Sequence, residues 1–154
     1  MKKILTCLLV AGILFFWTLE FSTKKICVFA EVDNHKKTVA VVDARKNLSL
    51  TIKFVHSVQK TPVTEELEFD GEEFILRRTI YKSHGVGLPF MESDGDFREE
   101  DGNFIMDNMN RKMKNLQLRT GLGTKLCIIL DGKEFKLHEK FKVGTKIIID
   151  CKNF

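Results

Sequence analysis

The chain reads as an all-β protein: a single antiparallel β-sandwich or partly closed barrel behind one N-terminal apolar helix. Three observations predict this. Short runs rich in Val, Ile and Phe are separated by Gly, Asp and Asn turn signals. No segment beyond residue 25 repeats apolar side chains at the helical spacing, and the one helix-length apolar run stands at the start of the chain. With 154 residues, 44% hydrophobic and 30% charged, there is material for one core and no room for two. Only 2 prolines and 10 glycines argue against collagen-like or long disordered segments.

The opening segment "MKKILTCLLVAGILFFWTLEFSTKK" sets Lys2 and Lys3 before an apolar run and Lys24 and Lys25 after it. A helix from Ile4 to Thr23 would be about 30 Å long at about 1.5 Å per residue, the thickness of the hydrocarbon layer. Residues 1–25 are therefore expected to be an N-terminal membrane anchor or uncleaved signal, and residues 26–154 an extracytoplasmic all-β domain. A cleaved signal peptide is the alternative, with "VFA" ending at Ala30 as a tolerable cleavage site, but that cut would remove the opening strand "ICVFAEV" (Ile26 to Val32).

The later elements follow in order. "TVAVVDA" and "LSLTIKFVHSV" come after the turn-like "DNHKK"; "VTEELEF" and "FILRRTIYKS" flank the turn "DGEE". The glycine-rich "HGVGLP" leads to the acidic "ESDGDFREEDG", expected to be a solvated loop, and then to "NFIMDN" and "NLQLRTG". "DNMNRKMKN" (Asp107 to Asn115) is expected to hold one helical turn, and Asp131-Gly132 to turn a hairpin before the final "KIIIDCKN". Cys27, Cys127 and Cys151 stand singly in strand-like runs as small hydrophobes, with one pair open to bridging in an oxidising compartment; no zinc spacing occurs.

The formal charge of +4 is spread along the chain, and the 13 Phe against 1 Tyr and 1 Trp suit a core better than stacking platforms, so nucleic acid is not expected as a partner.

The stretch "FVHSVQKTPVTEE" (Phe54 to Glu66) is the most informative polar feature. A hairpin with Gln59 to Pro62 as a four-residue loop sets Val58 against Val63, His56 against Glu65, Phe54 against Leu67 and Ile52 against Phe69. Its other face pairs Ser57 with Thr64 and Lys53 with Glu68. His56 and Glu65 then meet near the rim of the core face, as a structural hydrogen-bonded pair or as part of a ligand pocket. A hydrolase reading of His56 and Ser57 fares worse, because neighbouring strand residues face opposite ways and no G-x-S-x-G elbow exists. Metal binding by His56, Glu65 and His84 rests on ligand type alone. In "SHGVGLPF", Gly85 and Gly87 are expected to supply unusual backbone angles and Leu88-Pro89 a rigid corner, since the Gly-Lys-Ser/Thr ending of a phosphate cradle is missing.

Together "HSVQKTPVTE" and "GVGLP", about 20 residues apart behind the apolar segment, resemble a bacterial family catalogued as domain of unknown function 1850, from Ile26 onward. His56, Ser57, Thr61, Pro62, Val63 and Glu65 match its first motif and Gly85, Gly87, Leu88 and Pro89 its second, with weaker matches at Glu100 to Gly102 and at Asn110 and Arg111. His84 replaces an aromatic residue frequent in that family, and Val86 an alanine. The resemblance implies association with TAXI-type tripartite (TRAP) transporters and carries over no catalytic activity, cofactor or metal. It makes His56, Ser57, Thr61, Pro62, Glu65, Gly85, Gly87, Leu88, Pro89 and Arg111 candidate binding residues. The expected function is a membrane-anchored, non-enzymatic accessory protein contacting the permease or the solute-binding protein. The alternative is an envelope hydrolase or metal-dependent enzyme using His56 and Glu65.

Overall fold

The structure, a computed structural model, describes residues 23–154. Residues 1–22 of the expected anchor (1–25) lie outside the described residues, and its last two residues, Lys24 and Lys25, belong to the first strand; among the described residues, no helix is long and apolar enough to cross a membrane. The first strand, β1 (Lys24–Val32), carries Ile26, Val28 and Ala30 into the core and turns through Asp33 and Asn34 into β2 (His35–Asp43). Both turn residues have positive φ, 49° and 62°, as a two-residue hairpin of this hand requires. Then come β3 (Leu48–Val55), β4 (Pro62–Phe69), β5 (Phe74–Tyr81), β6 (Asp96–Glu100), β7 (Asn103–Asp107), β8 (Arg111–Met113) and β9 (Asn115–Arg119). The chain ends with β10 (Cys127–Leu130), β11 (Lys133–Lys136), one helical turn α1 (Leu137–Lys140) and β12 (Lys146–Asn153).

These strands form two antiparallel sheets, and neither closes into a barrel. The smaller has the order β2-β1-β12-β9; the larger runs β11-β10-β3-β4-β5-β7-β6, with β8 on the lower half of β5. Their apolar faces meet in one cluster: Ile26 and Val28 of β1, Leu116 of β9 and Ile147 and Ile149 of β12 pack with Leu48, Leu50 and Ile52 of β3, Leu67 and Phe69 of β4, Phe74 of β5 and Ile128 of β10. Each such side chain stabilises the fold by roughly 1.5–3 kcal/mol relative to leaving it in water. A satellite cluster of Val63, Tyr81 and Leu88, flanked by Phe54 and Phe104, sits at the far end of the larger sheet.

Three expectations are corrected. The acidic run holds an edge strand: all five residues of β6 are exposed, so it has no apolar face to betray it, and it is held to β7 by the turn at Asp101 and Gly102, φ 50° and 69°. Arg98 bonds Asp107 at 2.9 Å and also reaches Glu100. The stretch Asp107 to Asn115 contains β8 in place of a helical turn, because its backbone pairs with Phe74 to Leu76 of β5. Glu68 stands opposite Ser49, not Lys53, and takes its cation from Arg77 at 3.3 Å.

That last contact depends on a bulge. Glu66 faces Arg78 while Leu67 faces Leu76, so Arg77 has no partner on β4. Met109 N–H bonds the Arg77 carbonyl at 3.0 Å, while the side chain of Arg78 reaches Glu66 and Asp107. Burial pushes the Asp107 carboxyl up, but hydrogen bonds from Arg78 and Arg98 outweigh it and hold the group below the usual carboxylate value.

The three cysteines of the described residues are free. Burial raises all three thiols, which keeps them protonated and unreactive.

β1 is a central strand, paired with β12 from Lys24 to Glu31 and with β2 from Lys25 to Val32. A chain starting at Glu31, as cleavage after Ala30 would leave it, is therefore expected to show no cooperative thermal transition by far-ultraviolet circular dichroism. A chain starting at Thr23 should melt cooperatively.

Candidate functional site

The β3–β4 connection is longer than a four-residue loop. Observed pairs are Phe54 with Val63, Ile52 with Glu65, Leu50 with Leu67 and Leu48 with Phe69, so each β4 residue faces a β3 residue four places earlier than expected. An even slip keeps every side chain on its own face, which is why the apolar pattern does not distinguish the two registers. His56 therefore does not meet Glu65. Its N–H instead bonds the Thr61 carbonyl at 2.9 Å, and Lys60 N–H bonds the His56 carbonyl at 2.9 Å.

The imidazole decides this outcome. His56 is 7% exposed, and its Nδ1 accepts the N–H groups of Val58 at 3.3 Å and Gln59 at 3.1 Å. With Nδ1 accepting, the proton is on Nε2, which donates to the Val86 carbonyl at 3.2 Å. Lys60 completes the turn with φ 55°, and Pro62, which has no N–H to give, starts β4 opposite Val55. Ser57 is exposed in this turn. With both ring nitrogens engaged by backbone, His56 has no free base to offer Ser57 or a substrate.

The second motif is the other half of this lock. A Cβ on Gly85 would lie 3.0 Å from His56 Cε1 and 3.1 Å from Nε2, so any larger residue would have to push the ring back by a few tenths of an ångström. Leu88 N–H bonds the Gly85 carbonyl at 3.1 Å, closing a turn whose third residue, Gly87, has φ 87°. The Tyr81 hydroxyl donates to the Pro89 carbonyl and ties the corner to β5.

Beneath that corner is a cleft of about 460 Å³, whose lining includes Glu65, Gly87, Leu88, Pro89 and Arg111. Half of the candidate residues thus come together there; His56 and Gly85 support its roof, while Ser57 and Thr61 stay in the turn and Pro62 starts β4. Sequence reasoning did not single out Leu76, Thr79, Ser93, Asp94 or Met109, which also line it. The bulge at Arg77 brings Leu76 and Thr79 to the same wall, and no local signal announces a bulge. Asp94 is already engaged: its Oδ2 accepts the N–H groups of Phe90 at 3.2 Å and Met91 at 3.1 Å.

Glu65 is partly buried opposite Ile52 and Thr79. Burial raises its carboxyl above the usual glutamate value, and the Arg111 charge pulls it part of the way back. Among the described residues no three His, Cys, Asp or Glu side chains converge as a metal site. His84 stacks on Phe104 with ring centroids 4.4 Å apart.

Residues 50–137, more than half of the 154-residue chain, match the family described as domain of unknown function (DUF1850). The chain belongs to this family. The matched span covers both halves of the lock and the whole cleft. No curated protein and no solved structure gives a match.

His56→Ala should lower stability by about 1–3 kcal/mol in urea unfolding, since two turn N–H groups lose their acceptor. His56→Asn should lose less than half of that, because an Asn Oδ1 reaches the same N–H groups. Glu65→Gln tests the buried acid. A raised folded-state value favours the protonated carboxyl, so its contribution to stability is full below the unfolded value and is lost as pH rises through the folded one. The variant should therefore melt above the wild type at pH 7 and converge with it near about pH 4.

Proposed function

We propose that this member of the DUF1850 family is a non-enzymatic accessory protein of a TAXI-type TRAP transporter. It is held at the cell membrane by its N-terminal segment, with the β-domain outside the cytoplasm contacting the permease or the solute-binding protein. The supporting observation is where the exposed apolar side chains gather. Residues 1–22 precede β1 at the Lys24 end, where Lys24 Nζ donates to the Gly71 carbonyl in the β4–β5 turn at 3.2 Å. The corner lies at the opposite end of β5, about 23 Å away at about 3.3 Å per residue.

Around that far end Val58 is 71% exposed, Val86 94%, Phe90 65%, Leu122 84% and Val143 63%. Their loops form one continuous rim. His56 joins the first loop to Val86, Val55 N–H bonds the Thr124 carbonyl at 2.6 Å, and Gly144 N–H bonds the Thr120 carbonyl at 2.7 Å. Single exposed apolar residues are ordinary, whereas a joined set marks a contact surface. Lys60, Lys125 and Lys142 stand exposed in the same loops. The complementary partner surface is apolar with an acidic rim.

The paired substitution Val86→Glu with Leu122→Glu should reduce recovery of the transporter component in mild-detergent co-purification by at least about tenfold, with no change in melting temperature. Unchanged recovery, or a wild-type protein that captures neither the permease nor the solute-binding protein, would overturn the reading.

A further inference from the structure

The Glu65–Arg111 cleft adjoins the rim, sharing Phe90 with it, and raises its own chemical question. A partly buried carboxyl is normally held by hydrogen bonds or an ion pair, because leaving it unpaired is costly. Glu65 has no such partner among the described residues, although its environment senses the positive charge of Arg111. Arg111 stands exposed at the mouth and is likewise without a hydrogen bond or ion pair among the described residues. Two unlike charges share one wall and do not touch.

The rest of the wall is mixed, with an apolar part and several polar groups. Leu76 stands beside Arg111 on the neighbouring strand, and Leu88, Pro89, Phe90 and Met109 add apolar surface, with Ser93 among the polar lining. The other polar groups are largely engaged: Asp94 holds two backbone N–H groups, the Thr79 hydroxyl points to Met109 Sδ at 3.4 Å, and Asn110 Oδ1 accepts from Arg77 at 3.3 Å.

We propose that this cleft binds a small aminocarboxylate with an apolar side chain, its ammonium group against Glu65, its carboxylate on the Arg111 guanidinium and its side chain over Leu76, Leu88 and Met109. The planar guanidinium offers the paired donors that a carboxylate accepts. A ligand with a carboxylate alone would face Glu65 and Asp94 with like charge. An amine alone would meet Arg111 with like charge and leave its donors unused. Only a ligand carrying both groups satisfies both ends of the cleft. This assignment goes beyond the transporter contact and does not depend on it.

Isothermal titration of the full chain in mild detergent with leucine, isoamylamine and 4-methylpentanoate tests it directly. Leucine should bind saturably, and each one-ended probe at least about tenfold more weakly. Glu65→Gln and Arg111→Gln, each verified as folded by its melt, should weaken leucine binding by at least about tenfold, whereas the Val86→Glu, Leu122→Glu protein should bind as the wild type does. Absence of saturable leucine binding, a one-ended probe that binds as tightly as leucine, or binding indifferent to both cleft substitutions would overturn the assignment. Loss of transporter capture with leucine binding intact would overturn only the contact.

Discussion

The site depends on one imidazole held between two loops. Nδ1 of His56 accepts two N–H groups of the β3–β4 turn, and Nε2 donates to the carbonyl of Val86 in the corner after β5. The first pair of bonds sets where β3 ends and so sets the register against β4. The last bond, with the glycine that allows the ring to approach, hangs the Gly85–Pro89 corner above the larger sheet. Two sequence motifs far apart in the chain are thus two sides of a single contact. A histidine in this position is a structural hub, with both ring nitrogens engaged by backbone groups.

The cleft itself follows from unequal sheets. Four strands face eight, so the smaller sheet leaves part of the larger one's inner face without a partner. Where they overlap, the shared core forms; past the overlap, Val63, Tyr81 and Leu88 make a separate small cluster. Between these two apolar masses the inner face carries Glu65 and Thr79, and the corner loop covers them. The strand beside β5 is also split, with β7 on its upper half and β8 on its lower half, and the bulged Arg77 stands at the break. Bulges recur where a sheet must re-aim side chains, and this one sends two arginines outward while Leu76 and Thr79 both remain on the cleft wall. The outward arginines then join Glu66, Glu68, Asp107 and Arg98 in a network whose members each contribute little alone.

Much of this was legible in the chain before any coordinates. Alternating Val, Ile and Phe with Asp-Gly and Asp-Asn turns is enough for an antiparallel all-β domain, and "ICVFAEV" and "KIIIDCKN" stand in β1 and β12 as read. The unusual angle expected of Gly87 is there, but the one expected of Gly85 is not: Gly85 has no positive φ, and its place is set by the close approach of the His56 ring. β6 escaped notice because a strand exposed on both faces has no alternation to read; the Asp101-Gly102 turn was its only signal.

What sequence alone determined is which side of each strand is apolar, because side-chain alternation is a local property of the backbone. What it left open is which residues stand opposite one another, since a slip of four places preserves that alternation and costs nothing in the pattern. Tertiary structure chose between the registers through backbone N–H groups that needed an acceptor and found it in a buried imidazole. That choice separated His56 from Glu65 and left the carboxyl facing an open cleft with Arg111 at its mouth.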